Sequence, residues 1–142
     1  GGGFVAADEA LRQPVLSYSA HLLTRRLERT ARLGKKARGS ASTTRLHALR
    51  IAVKKLRYAV EFFGALYPPD KLARYRERLV GLQDCLGRGC DAAAMPERVG
   101  EASSASTALL DLARGWSACV VHAERQRFAQ LWQQFRRARP YW

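Results

Sequence analysis

The sequence predicts an all-α fold, an up-and-down bundle of four helices. Apolar residues recur every three to four positions along most of the 142 residues, which is the spacing of a helix with one buried face. No segment keeps the strict alternation of a half-buried strand, and no Asn-Gly pair marks a hairpin. The stretches between the helical segments are short, which favours antiparallel neighbours packed side by side.

The first two helices have clear boundary signals. The first is predicted to run from about Pro14, an early-helix residue, to about Leu33. A basic loop of small residues follows, and Thr43 or Thr44 can cap the second helix. That helix must end at the sequence YPPD, because two successive prolines cannot continue it.

The last two helices are separated by a longer irregular stretch. Asp70 is the predicted N-cap of the third helix, which should end near Leu86, before the sequence GRG. Asp91 is expected to cap a short helical turn before Pro96. A flexible linker then leads to the fourth helix, which is predicted over residues 107–138.

Length and composition indicate one globular domain with an unusual charge. We expect residues 10–142 to form that domain, after a flexible segment at residues 1–9. The chain carries 25 Lys and Arg but only 12 Asp and Glu, a formal net charge of +13. Such a surface attracts nucleic acid, polyphosphate or anionic lipid. No apolar run approaches the ~18–20 residues that span a bilayer, and no signal peptide is visible. We therefore expect a cytoplasmic protein with no membrane partner.

The cysteines and two of the tryptophans are expected to be structural. Cys85, Cys90 and Cys119 are odd in number and lack C-x-x-C spacing, so they predict small buried side chains rather than a zinc site. No metal or other cofactor is expected. Trp116 and Trp132 are predicted to be packing anchors in the core.

The second helix combines an apolar face with a polar face of a single sign. At about 100° per residue, one arc carries the predicted core residues Leu46, Leu49, Val53, Leu56, Val60 and Phe63. A nearly opposite arc stacks one cationic or potentially cationic side chain per turn: His47, Arg50, Lys54 and Arg57. Like charges at this spacing repel by about 0.2–0.5 kcal/mol per pair, and solvated helix faces usually mix signs. The pattern favours an anion-binding site over a merely solvated face.

Two sequence motifs resemble those of a known family. They are HALRIAVKKLRYAVEFF, residues 47–63, and LVGLQDCLGRGCD, residues 79–91. Together they resemble the CHAD domain, the conserved-histidine α-helical domain, whose hallmark is an H-x-x-R-x-x-x-K-K-L-R-Y helix. The resemblance implies two four-helix bundles related by a pseudo-two-fold axis, with a basic pocket that binds inorganic polyphosphate. Family members occur alone or fused to triphosphate-tunnel domains, and some associate with polyphosphate granules.

The resemblance also suggests which residues contact polyphosphate. The basic helix of the family corresponds here to His47, Arg50, Lys54, Lys55, Arg57 and Tyr58. Charge placement at helical spacing adds four further candidates on the third and fourth helices: Arg74, Arg78, His122 and Arg125. No residue is predicted to be catalytic.

The sequence departs from the family pattern in two ways. Cys90 stands where the second motif usually has Asn before its Asp, which puts the local turn in doubt. A whole domain of this family is also about twice as long. The chain therefore resembles a C-terminal half, or a minimal version that pairs with a second copy. The sequence leaves both open, so the expected partner is either a homodimer mate or an N-terminal half-domain.

Three functions compete on the sequence. We expect a non-catalytic polyphosphate-binding module. Nucleic-acid binding is the first alternative, although no recognition-helix turn, zinc-finger spacing or aromatic stacking set supports more than non-specific contact. A phosphate-processing enzyme that uses His47 as nucleophile or metal ligand is the second, and it lacks an evident carboxylate partner.

Overall fold

In the computed structural model of the protein, the described residues form four α-helices and one short 3-10 helix. They are α1 (Gly2–Ala37), α2 (Thr43–Phe62), the 3-10 turn (Gly64–Leu66), α3 (Pro69–Glu101) and α4 (Thr107–Arg137). The structure describes residues 2–39, 42–102 and 104–142, with side chains from residue 8 onwards. Those residues contain no β-strand. The prediction of an all-α four-helix bundle is therefore confirmed.

Each helix packs on the next one in the chain: α1 on α2, α2 on α3, and α3 on α4. The fourth side, between α1 and α4, is the least filled. There the indole of Trp132 lies directly on the backbone of α1 at Gly34, where a Cβ atom would overlap the ring. The core between the helices includes Leu23, Leu49, Val53, Leu56, Val60, Tyr75, Leu79, Leu82, Trp132 and Phe135.

The first helix is longer than its sequence signals predict, because Pro14 lies inside it rather than near its start. Pro14 and Ala10 are both exposed, so the Ala10 carbonyl that the proline leaves without a donor can be hydrated. The predicted flexible segment covers residues 1–9, and most side chains in that range lie outside the part of the chain that the structure describes. That expectation stays a prediction.

The third helix continues through GRG to Glu101, so the predicted end near Leu86 and the cap at Asp91 are both wrong. Packing along α4 outweighs the low helix propensity of glycine. Pro96 also lies inside α3, and it lacks the N–H that would bond the carbonyl of Ala92. A hydroxyl from α4 supplies that donor instead: Ser117 Oγ donates to Ala92 O at 2.7 Å.

The helix caps differ slightly from those predicted. Ser42 caps α2, its Oγ accepting from the Arg45 N–H at 3.4 Å. Pro68 occupies the N-cap position of α3, and Asp70 lies in the first turn of that helix. The fourth helix runs close to the predicted range and is capped by Ser106, which accepts from Leu109 N–H at 3.1 Å.

Because α2 has only 20 residues while the other helices have 31 to 36, the longer helices extend past it at both ends. Two groups of large apolar side chains are exposed on these extensions. One lies on α1 and comprises Leu11, Val15 and Tyr18; the other lies on α4 and comprises Leu109, Leu112 and Trp116. Trp116 is 49% exposed, so its predicted place in the core is wrong, whereas Trp132 is buried as predicted. In the described part of the chain, no helix is both long and apolar enough to cross a membrane.

Candidate anion-binding site

The two faces of α2 lie as the sequence predicts. Five of the six predicted core residues are buried, and Leu46 is half-buried. On the other face His47 and Lys54 are exposed, while Arg50 and Arg57 are half-buried against α3. We call these four residues the basic stripe. Lys55 and Tyr58, which are also exposed, flank it.

Arg50 joins the basic stripe to the second motif. Its guanidinium lies over Gly87 of α3, where an added Cβ atom would be 3.6 Å from Arg50 Nη2. The same guanidinium acts on Cys90: burial raises the pKa of the Cys90 thiol, and the nearby positive charge of Arg50 partly opposes that rise. The two motifs, far apart in sequence, therefore meet on one surface of the α2–α3 pair.

Arg57 is held by α3 and by a carboxylate. Its Nη1 donates to Gln83 Oε1 at 2.9 Å. Its Nε lies 3.2 Å from Glu61 Oε1, close enough for an ion pair, but makes no hydrogen bond. Glu61 Oε1 also accepts from Arg76 Nε at 2.8 Å. One carboxylate is thus shared by two guanidinium groups, so the charge of this Arg57–Glu61–Arg76 cluster remains net positive.

Tyr58 brings two cations together on its ring. Lys54 Nζ lies 5.6 Å and Arg57 Cζ 5.2 Å from the ring centroid. Cation–π contacts at exposed sites contribute about 0.5–1 kcal/mol each. The ring therefore offsets part of the repulsion between Lys54 and Arg57 without removing their charge.

Most of the charged side chains on this surface form no ion pair with a described residue. Among the described residues, Arg57 is the member of the basic stripe that pairs with a carboxylate. His47, Arg50, Lys54 and Lys55 have no ion pair there. Apart from the contact of Lys54 with the Tyr58 ring, these side chains therefore have no attractive charge contact among the described residues that would offset the repulsion along the helix.

The structure does not bring Arg74 and Arg78 to the basic stripe. Both are exposed on α3, but at about 100° per residue they point roughly 140–180° away from Gln83, which faces Arg57. Arg76 and Gln83, which are not among the predicted residues, do lie at the stripe. Their spacing of seven residues places them on one face of α3, a signal that could have identified them.

His122 and Arg125 lie on the wall of a separate cavity, which we call the α1–α4 groove. It has a volume of about 870 Å³ and opens between α1 and α4. The basic side chains on its wall are Lys35, Arg38, His122, Arg125 and Arg136. The groove approaches the start of the basic stripe at Leu46 and Cys90.

The cysteines are all free, and their environments differ. Cys85 is buried, and its Sγ lies 3.2 Å from the Glu124 carbonyl. Burial first, and then its contact with Glu124, raises the pKa of the Cys85 thiol to about 12. Cys90 is half-buried and Cys119 is exposed, so the prediction of small buried side chains is wrong for Cys119. The described residues hold no cluster of His, Cys, Asp or Glu that could bind a metal ion.

The fold and the surface define a basic helical bundle with an open row of cations along one helix pair. Residues 4–100, which include both motifs, match the CHAD domain family, and the chain belongs to that family. This family is associated with polyphosphate binding and with triphosphate-tunnel proteins. No curated protein matches the chain, and neither does any solved structure.

Proposed function

We propose that this protein is a non-catalytic module that binds inorganic polyphosphate along the basic stripe of α2. The observation that carries the proposal is the row itself: His47, Arg50 and Lys54 lie on one surface with no carboxylate partner among the described residues. A protein retains such repulsion at little benefit to its own stability unless an anion binds there.

The spacing of the basic stripe suits a linear polyanion. Side chains three or four residues apart on a helix lie roughly 5–6 Å from each other, so the row of cations can contact phosphates at intervals along one chain. Lys and Arg reach those phosphates through flexible stems, and contact with backbone phosphates requires no readout of bases. Charge-assisted hydrogen bonds of this kind contribute about 1.5–3 kcal/mol each.

The Arg57–Glu61–Arg76 cluster supports the same proposal at the other end of the stripe. Arg76 extends the cationic surface onto α3. Gln83 fixes Arg57 with a neutral hydrogen bond, which leaves the guanidinium charge intact. A phosphate arriving here would compete with Glu61 for the two guanidinium groups.

A binding role also suits the surroundings of His47. Glu61, the carboxylate on the stripe, lies about four helical turns from His47, too far to orient the imidazole as a general base needs. We therefore propose that His47 contributes hydrogen bonds to phosphate rather than acting as a nucleophile. Incubation of the protein with polyphosphate and a divalent metal, followed by measurement of released phosphate, tests this point directly.

The central experiment is a polyphosphate titration of the wild type and of a triple variant, R50Q/K54Q/R57Q. Glutamine keeps part of each aliphatic stem, so folding should persist, as a circular dichroism melt would verify. The matched control is R12Q/R25Q/R29Q, which removes the same charge from three exposed positions of α1. We expect the stripe variant to lose at least about a hundredfold in affinity, and the control to lose less than about threefold.

Equal losses of polyphosphate affinity in both variants would mean that only net charge matters, which would contradict binding at a defined site. A competition with duplex DNA at equal phosphate concentration separates the nucleic-acid alternative. If DNA displaces polyphosphate as well as polyphosphate itself does, the protein is a general polyanion binder.

The protein partner and the location in the cell are further parts of this proposal. We propose that the exposed apolar residues on the extensions of α1 and α4 pack against a second bundle, either another copy or an N-terminal half-domain. Mass measurement in solution, with and without polyphosphate, distinguishes the two cases. Cytoplasmic location and association with polyphosphate granules follow from the proposed ligand, and imaging of a tagged protein tests them.

A further inference from the structure

The α1–α4 groove differs chemically from the basic stripe. Its cationic residues surround a floor of apolar side chains, including Leu86, Val121, Phe128 and Trp132. We propose that this groove is a second anion site, separate from the stripe, that binds an organic phosphate with an apolar body, such as a nucleoside triphosphate.

The groove carries an excess of positive charge. Lys35 of α1 and Arg136 of α4 line both the groove and the smaller pocket beside it. Glu28 and Arg32 of α1 also line that pocket, which is therefore net positive. Neither Lys35 nor Arg136 forms an ion pair with any described residue. An anion between them would replace repulsion by attraction and would hold α1 and α4 together on the least filled side of the bundle.

The one carboxylate in the groove does not cancel this charge. Glu124 accepts hydrogen bonds from Arg88 Nε at 2.8 Å and Arg88 Nη2 at 3.5 Å. That contact with Arg88 lowers the pKa of the Glu124 carboxyl. Glu124 therefore stays ionised and paired with Arg88, while Arg38 and Arg125 remain available to a ligand.

The apolar floor points to an organic ligand rather than to inorganic polyphosphate. The rings of Phe128 and Trp132 stack with centroids 5.7 Å apart and an interplanar angle of 23°. Phe128 is only half-buried, so its remaining surface can pack against a planar group. Phosphate oxygens gain nothing from such a surface, whereas a base or another apolar body does. The volume of about 870 Å³ lies within the range of roughly 300–1,000 Å³ that is usual for small-molecule sites.

Calorimetric titration with ATP, inorganic triphosphate and adenosine tests the proposal. Since ATP alone combines the charge with the apolar body, it should bind at least about tenfold more tightly than either fragment. The variant K35Q/R136Q should weaken ATP binding at least about tenfold. The control R12Q/R25Q removes the same charge from two exposed positions of α1 outside the groove and should change ATP binding less than about twofold.

A third variant examines the floor. Phe128→Leu keeps most of the apolar volume but removes the planar ring, so it should weaken ATP binding and leave triphosphate binding unchanged. The proposal is overturned if ATP binds no better than triphosphate, or if R12Q/R25Q and K35Q/R136Q weaken ATP binding equally. It is also overturned if the protein is a dimer that K35Q/R136Q dissociates, because a second copy would then occupy the groove. The comparison of K35Q/R136Q with R12Q/R25Q does not depend on whether polyphosphate binds the basic stripe.

Discussion

Gly34→Ala and Gly115→Ala should have opposite effects on stability, although both place a methyl group on a helix. At Gly34 the new Cβ atom would overlap the indole ring of Trp132, while at Gly115 no atom lies within 4 Å of it. Gly115 is exposed in the interior of α4. Alanine there should stabilise the protein by about 0.5–1 kcal/mol through helix propensity.

The destabilisation caused by Gly34→Ala follows from the packing that the indole ring of Trp132 would lose. Trp132 is 7% exposed and packs against Phe128 and Phe135, with centroids 5.7 and 5.4 Å away. Loss of a buried aromatic side chain costs about 3–5 kcal/mol, and alanine regains about 1 kcal/mol of propensity. If the ring leaves its site, Gly34→Ala should therefore lower the free energy of unfolding by about 2–4 kcal/mol.

Urea unfolding monitored by circular dichroism measures both changes. A double-mutant cycle with Trp132→Leu isolates the overlap, because Gly34→Ala should cost less than about 1 kcal/mol once the indole is gone. A stable Gly34→Ala protein with wild-type tryptophan fluorescence would refute the direct packing of α4 on the α1 backbone.

Three further predictions concern single hydrogen-bonded groups. Ser117→Ala should destabilise the protein by about 1–3 kcal/mol in urea unfolding, because it removes the donor that replaces the missing N–H of Pro96. The Arg88–Glu124 pair lowers the pKa of the Glu124 carboxyl, so its contribution to the free energy of unfolding is present above about pH 4.5. That contribution is lost as the pH falls through the lower folded-state pKa. The free energy of unfolding of R88Q should therefore fall less steeply with acid than that of the wild type. Glu61→Gln should raise polyphosphate affinity about two- to tenfold by freeing two guanidinium groups.

Each of these has a matched control. The Ser117 effect should shrink in a Pro96→Ala background, where an N–H is restored; an unchanged cost would show that the hydroxyl does not compensate for the proline. Equal acid sensitivity of wild type and R88Q would contradict the pairing of Glu124. For Glu61, the control is Glu77→Gln at an exposed position of α3. Equal gains in both variants would mean that only net charge matters.

The sequence predicts α2 well because local and tertiary signals agree there. Its apolar arc is the face that packs, so the basic stripe lies where the helical periodicity puts it. The helix ends at Phe62, one 3-10 turn earlier than the predicted end at the prolines after Tyr67. The same agreement explains the accurate range of α4, with Ser106 as its cap.

The course of α3 could not be predicted from local signals, since its continuity depends on contacts with another helix. Gly87, Gly89 and Pro96 all favour a break by propensity. Packing against α4, and the hydroxyl of Ser117 in particular, stabilises the helix across them. Such a contact joins residues far apart in the chain and produces no periodic pattern in the sequence.

The positions of the candidate residues could be predicted only in part, again because some of them depend on contacts between helices. Residues of one helix, from His47 to Tyr58, share a face that the sequence reveals. By contrast, the position of Arg76 beside Glu61 depends on how α3 packs on α2. Likewise, the placement of His122 and Arg125 in a groove with residues of α1 depends on all four helices.

The salt dependence of polyphosphate binding tests the central claim most directly. If the basic stripe binds phosphates at intervals along one chain, affinity should fall steeply and log-linearly with salt concentration, as counterion release requires. The variant R50Q/K54Q/R57Q should then show a slope shallower by about 2, since about 0.7 counterion is released per contact with a single-stranded polyanion. A wild-type affinity that does not change with salt, or a variant with the same slope as the wild type, would contradict the account.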